Sequence, residues 1–194
     1  MLSPVTLTGE LVTLEPLQPD HHDDLVAAAS DGRLWELWYT SVPTAAGMSG
    51  DIAQRLAWRA EGSMNPWAVR RLDTGRAVGM TTYCNIDQAN RRVEIGHTWL
   101  GIEAQRTAVN TAAKLLLLAH AFEECGAIAV EFRTHWHNRQ SREAIARLGA
   151  KQDGVLRNHR LGPDGSLRDT VVFSILPHEW PAVRLGLEER LARG

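Results

Sequence analysis

Between residues 93 and 118 the hydrophobic period of the chain changes from two to that of a helix. Val93, Ile95, His97 and Trp99 alternate with Glu94, Gly96, Thr98 and Leu100, which predicts a strand carrying the first set on one face and the second on the other. After a short polar loop, Val109, Ala112, Ala113, Leu116 and Leu117 keep the i, i+3, i+4, i+7, i+8 spacing of a helix. Leu115 and Leu118 widen that stripe, so most of the helix is expected to be buried. Strand, tight loop and helix in this order leave backbone N–H groups of the loop and first helical turn without internal partners, and the helix dipole there favours an anion. A phosphate is expected at residues 105–111.

The rest of the chain follows the same two periods. Residues 4–16 predict a first strand closed by Pro16 and Pro19, and Asp20–Ala29 a helix with acidic residues in its first turn. A second helix is expected over 45–61, carrying Ile52, Leu56 and Trp58. Trp67–Arg70, Ala77–Tyr83 and Arg92–Leu100 read as successive antiparallel strands, with turns at Asp73–Gly75 and Asp87–Asn90. Ala127–Phe132 is a further strand, Asn138–Leu148 a helix closed by Gly149, and two more strands flank the turn Gly162–Gly165. Leu176–Pro181 leads into a short C-terminal helix. This order predicts a single α/β domain over 1–194, a mixed, mostly antiparallel sheet with helices on both faces.

Composition narrows the function classes. At 194 residues the chain can bury a real core. A net charge of −2 makes no electrostatic case for a nucleic-acid or membrane partner. No stretch approaches the roughly 18 apolar residues of a membrane span, and the N-terminus lacks a basic region followed by an apolar one, so a cytoplasmic protein is expected. Cys84 and Cys125 are isolated, which suggests neither a disulfide framework nor a zinc site. His135 and His137 share a strand face, but no third ligand is in view and no metal is expected. Of the seven tryptophans, Trp58, Trp67 and Trp180 are expected in the core or against helices. Trp35 and Trp38 lie between the first two helices, where they either pack in the core or line an acceptor groove.

Two segments carry a family likeness. Gln105-x-x-Ala108-x-Asn110 and the run Asn138-Arg-Gln-Ser141 through Gly149 together resemble the GNAT superfamily of acyl-CoA-dependent N-acetyltransferases, and within it the RimJ/RimL-like branch. The likeness extends from Leu7–Leu14 to Asp169–Leu176. It implies acetyl-CoA or coenzyme A as co-substrate, a primary amine (a protein N-terminus or a small amine) as acceptor, and a homodimer. It also implies that strands 93–100 and 127–132 splay apart to admit the pantetheine arm, with Trp99, Leu100 and Gly101 offering backbone groups to it. The pyrophosphate would lie over Gln105, Arg106, Thr107, Ala108, Val109, Asn110 and Thr111. Ala108 and Asn110 replace the family's usual small glycines; they leave less room for close backbone approach, while Asn110 brings an amide donor of its own.

The chemistry implied is attack of a neutral amine on a thioester. Neutralising a lysine at pH 7 costs about 4–5 kcal/mol, against about 1–1.4 kcal/mol for an α-amine, so a general base helps. Glu94 occupies the place of the family's strand-borne glutamate and is the candidate base; otherwise it is an exposed strand residue or one paired to Arg91 or Arg92. Many relatives protonate the departing thiolate with a tyrosine at the position held here by Ile145. Ser141 is the nearest polar replacement, as a hydrogen-bond donor to sulfur or as an ordinary first-turn serine. Asn138 suits both an N-cap and a bond to the pantetheine arm. Arg106 and Arg142 are phosphate partners or solvated surface residues. Two functions follow: an N-acetyltransferase, or a transferase of another acyl group such as succinyl, acting in a ternary complex; and a catalytically silent acyl-CoA-binding protein of the same fold.

Overall fold

The computed structural model describes residues 5–37, 42–162 and 165–193. Alternation in the first sixteen residues yields two strands where one was expected. β1 (Leu7–Thr8) and β2 (Val12–Pro16) pair antiparallel, and the Gly9 N–H donates to the Val12 carbonyl at 3.0 Å in the turn between them. Folding back at Gly9 sets Leu7 opposite Leu14, so both reach the core; a continuous strand would carry Leu7 past the edge of the sheet.

A 3₁₀ turn (Pro19–His21) leads into α1 (His22–Ser30), then α2 (Met48–Ala60), β3 (Met64–Arg71), β4 (Ala77–Asp87) and β5 (Arg92–Leu100). α3 (Ala108–Ala119) continues through a π turn, His120–Glu124, into β6 (Ala129–His135). α4 (Arg139–Leu148), β7 (Lys151–Leu161), β8 (Leu167–Ile175) and α5 (Trp180–Ala192) complete the chain. The strands form one sheet in the order β1-β2-β3-β4-β5-β6-β8-β7. Every pairing is antiparallel except β5–β6, which α3 connects as a crossover and which spans only Arg92↔Ala129 to Glu94↔Glu131. Beyond Glu94 the two strands part, as the family likeness implies.

Each sheet face buries its own core. One face packs Leu14, Trp67, Tyr83, Val93, Ile95 and Val130 against α3, α4 and α5; the other packs Leu17, Ala68, Met80 and Trp99 against α1 and α2. Trp67 and Trp180 are buried as expected, and both satisfy their indole N–H groups: Trp67 donates to the Val5 carbonyl at 2.7 Å and Trp180 to Glu123 at 2.7 Å. Trp58 is not core. It is exposed on α2 and faces the large cavity described below. Trp35 packs against the α1/α2 core, and Trp38 lies outside the described residues.

The predicted alternation of β5 breaks at His97. Thr82 pairs with Gly96 and Met80 with Trp99, so His97 and Thr98 together oppose Thr81 alone. This is a β-bulge, and His97 takes the positive φ of 48° that it requires. From there on the faces are exchanged. Thr98 turns toward α3, Trp99 joins the α1/α2 core beside Met80, and Leu100 joins the α3 core. The grouping of Trp99 with Val93 and Ile95 is thereby corrected; Trp99 shares the Glu94 face.

Opposite the end of the bulge, Gly79 lets β4 approach β5 closely. A Cβ there would collide with the Trp99 carbonyl oxygen and stand 2.8 Å from Leu100 Cα. Gly79→Ala is expected to cost about 1–3 kcal/mol, the range for overpacking a close contact. Urea unfolding checks this, and unchanged stability would mean that the two strands part freely at this point.

Candidate active site

Where β5 and β6 diverge, a cavity of about 770 Å³ opens between them. Glu94, Trp99, Leu100, Gln105, Arg106 and Thr107 line it from β5 and the loop that follows. Asn110 and Thr111 reach it from α3, and Asn138 and Ser141 from the start of α4. Four expected residues stand apart from it. Gly101 donates its N–H to the Val78 carbonyl at 2.8 Å and lies against Ala28, behind the sheet. Val109 is buried in the α3 core, and Ala108 is half-buried outside the lining. Arg142 is held on Trp136, its guanidinium carbon 4.5 Å from the ring centroid and one N–H donating to the Trp136 carbonyl at 2.8 Å.

The loop before α3 is shaped by its own polar groups. Gln105 donates its side-chain amide to the Leu100 carbonyl at 2.8 Å, tying the loop to the end of the strand. Thr107 is the N-cap of α3; its hydroxyl donates to the Ala104 carbonyl at 2.8 Å and accepts from the Val109 N–H at 3.3 Å. The start of α3 thus stands at the cavity, with Thr107, Asn110 and Thr111 in its lining. Because Ala108 is turned out of the lining, its methyl group takes no space from a bound phosphate. The polar side chains of Gln105, Arg106, Thr107, Asn110 and Thr111 that face the cavity are a donor set of the kind a phosphate requires.

α4 begins in the same manner. Asn138 accepts the Ser141 N–H at 3.0 Å, which caps the helix and brings the serine to the cavity wall. Ile145, one turn further on, is buried and apolar, so no proton donor stands at that position.

Glu94 is only 8% exposed although it faces the cavity. Asn85 donates to its carboxylate at 2.6 Å, and the Arg133 guanidinium lies 3.5 Å away. Neither Arg91 nor Arg92 is its partner; Arg92 instead pairs with Glu131. Burial raises the Glu94 pKa above the ordinary carboxylate value, against the opposing pull of Asn85 and Arg133. A carboxylate so placed is a better proton acceptor than a solvated one.

Comparison with known proteins accords with this arrangement. The acetyltransferase (GNAT) domain pattern matches residues 12–151. This chain belongs to the GNAT acetyltransferase family. It is 33% identical over 124 residues, 63% of this chain and 67% of the relative, to YdaF of Bacillus subtilis, whose name assigns it provisionally to the ribosomal N-acetyltransferases. A GCN5-related N-acetyltransferase from Brucella melitensis has a similar structure, with a TM-score of 0.88 and 30% identity, covering 97% of this chain and 86% of that one. RimJ of Mycobacterium smegmatis, solved in complex with CoA-disulfide, shares the fold at a TM-score of 0.80 and 23% identity, covering 96% and 95%. The protein is an acyl-CoA-dependent N-acetyltransferase of the RimJ/RimL-like branch, with a CoA-type co-substrate.

Within this GNAT frame, the cavity also reaches groups that the chain's periodicity does not single out, Lys114 foremost. Lys114 interrupts the apolar stripe of α3 and is buried, donating from Nζ to Thr98 Oγ1 at 2.8 Å and to Thr81 Oγ1 at 3.3 Å. No carboxylate stands within ion-pair distance of it among the described residues. Burial lowers its pKa to about 7. The one signal available was a lysine inside a run of leucines and alanines. Between about pH 7 and 10.4 the folded protein therefore binds fewer protons here than the unfolded chain, so this residue's contribution to stability rises with pH. Relative to Lys114→Met, the wild-type protein is expected to gain about 2 kcal/mol between pH 7 and pH 9. Urea titrations of both proteins at the two pH values measure it, and parallel behaviour would show that the ammonium is solvated.

Proposed function

We propose that this protein transfers the acetyl group of acetyl-CoA to a primary amine, by direct attack in a ternary complex with Glu94 as general base. The observation that carries the reading is the Glu94 carboxylate, buried, raised in pKa and facing the gap between β5 and β6. Acetyl-CoA supplies a thioester carbonyl when bound. The amine nitrogen forms a bond to that carbon, the carbon–sulfur bond breaks, and the thiolate departs; the proton given up by the nitrogen passes to Glu94, directly or through a water. Asn85 and Arg133 hold the carboxylate in place. Ser141 stands on the cavity wall to donate a hydrogen bond to the sulfur, and a thiolate of pKa near 8.5 needs little more help than that. Gln105, Arg106, Thr107, Asn110, Thr111 and Asn138 would hold the cofactor's phosphates and pantetheine arm. The acceptor is a primary amine, a protein N-terminus or a small amine; the YdaF relative's name, a ribosomal N-acetyltransferase, favours a protein acceptor.

Glu94→Gln is expected to lower kcat by about 10²–10⁴-fold, the usual contribution of a positioned base, with CoA affinity retained. Release of free thiol in the presence of amines measures the first, and calorimetry the second; a variant as fast as the wild type would remove Glu94 from the mechanism. With an acceptor already neutral at pH 6, such as an arylamine, the wild-type rate should fall on the acid side at a pH above the ordinary carboxylate range. Glu94→Gln should lack that limb. Ser141→Ala is expected to be mild, about tenfold or less in kcat, because a single hydrogen bond to a good leaving group is at stake.

A further inference from the structure

The cavity continues past Glu94 onto β6, β8 and β7, where the sheet face carries a row of cations. Arg160 on β7 and Arg168 on β8 are direct cross-strand partners. Like charges in that position repel and destabilise the pairing. Two nearby arginines have carboxylates to offset them: Arg133 lies 2.9 Å from Glu131 and Arg55 2.6 Å from Asp51. Arg160 and Arg168 have none within ion-pair distance among the described residues. The Nε of Arg168 is shielded from solvent and still lacks a hydrogen-bond partner. Burial and the neighbouring Arg160 both lower the Arg168 pKa, which marks the electrostatic cost of the pair. The same excess of positive charge reaches His97. Enclosure by the cavity walls and the nearby Arg55, Arg160 and Arg168 push its pKa down to about 4.

Both arginines line the cavity that holds Glu94, and each is coupled to that carboxylate electrostatically. They sit on strands beyond β6, apart from the loop of residues 105–111 that suits the phosphates of coenzyme A. Two adjacent guanidinium groups with free donors match the oxygens of a carboxylate or a phosphate, which they can grip through paired N–H bonds. We infer that the Arg160–Arg168 pair is the subsite for an anionic group, carboxylate or phosphate, carried by the acceptor amine. This rests on the acetyl-transfer reading and gives the acceptor a class: an amine and an anion on one molecule.

Two measurements test it. In CoA-saturated protein, inorganic phosphate should move the Nε–Hε resonances of Arg160 and Arg168 saturably, with assignments fixed by Arg160→Gln and Arg168→Gln. Absence of a saturable shift, or phosphate binding only in competition with CoA, overturns the subsite. With acetyl-CoA as donor, amino acids and phosphoserine peptides should then exceed their amide and serine counterparts by about 10–100-fold in kcat/KM, as expected for hydrogen bonds to a charged group. Arg168→Gln should remove that preference. Equal use of charged and neutral acceptors overturns the proposal while leaving acetyl transfer standing. A preference for succinyl-CoA with uncharged amines, equally sensitive to Arg168→Gln, would assign the anion to the acyl group and overturn it too. Saturable phosphate binding with no acetylation of any amine would overturn the acceptor assignment together with the transferase reading.

Discussion

From α3, Lys114 extends its ammonium to the hydroxyls of Thr81 and Thr98, and through them it fastens β4 and β5 where their register slips by one residue. Burying a cation among hydroxyls alone is costly. What it stabilises is the bulge at His97–Thr98, and the shape of the site follows from that bulge. It turns Thr98 inward to meet the lysine. It also sends Trp99 to the opposite core, where the indole packs with Met80 instead of filling the gap. Unbroken, the strand would present Thr98 beside Glu94 and carry Trp99 to the α3 side.

Much of the architecture was legible because local signals and tertiary packing agree. The change of period between residues 93 and 118 marks β5 and α3, and the caps Thr107 and Asn138 stand where the polar residues precede apolar runs. What the sequence hid depended on partners far along the chain. The face reversal at Trp99 is invisible to a period-two reading because the extra residue is accommodated by Thr81 and Lys114, on other elements. Sequence proximity offers Arg91 and Arg92 as partners of Glu94, yet parallel pairing brings Arg133 of β6 to it. Trp58 left its expected place in the core because α2 turns its exposed edge to the cavity, whereas Trp35 packs on the α1/α2 core, one of the two places open to it. The Arg160–Arg168 apposition could not be read from spacing either, since a bulge between Leu156 and Arg160 sets that register.

The cavity joins two unlike electrostatic regions. At the head of α3 and α4, backbone amides and small polar side chains offer many weak, oriented dipoles suited to a diffuse anion. Past Glu94, full charges dominate, and the protein balances most of them within the sheet. Glu94 lies between the two regions, its carboxylate shielded enough to raise its proton affinity and braced by Asn85 and Arg133. Cys84, directly opposite Glu94 on β4, is kept in its thiol form by burial and by that carboxylate, so it adds no competing nucleophile.

β5 and β6 meet over three residue pairs, and the last of them is Glu94↔Glu131. The sheet is thus two stiff antiparallel panels, β1–β5 and β6–β8–β7, seamed along a short parallel stitch and bridged by α3. Any rocking of one panel against the other turns about that seam, and displacement grows with distance from it. Glu94 sits at the fulcrum, where travel is least, while the loop before α3 and the arginine row lie farther from it. Widening the gap would therefore open the cavity while leaving the Glu94 carboxylate almost where it stands.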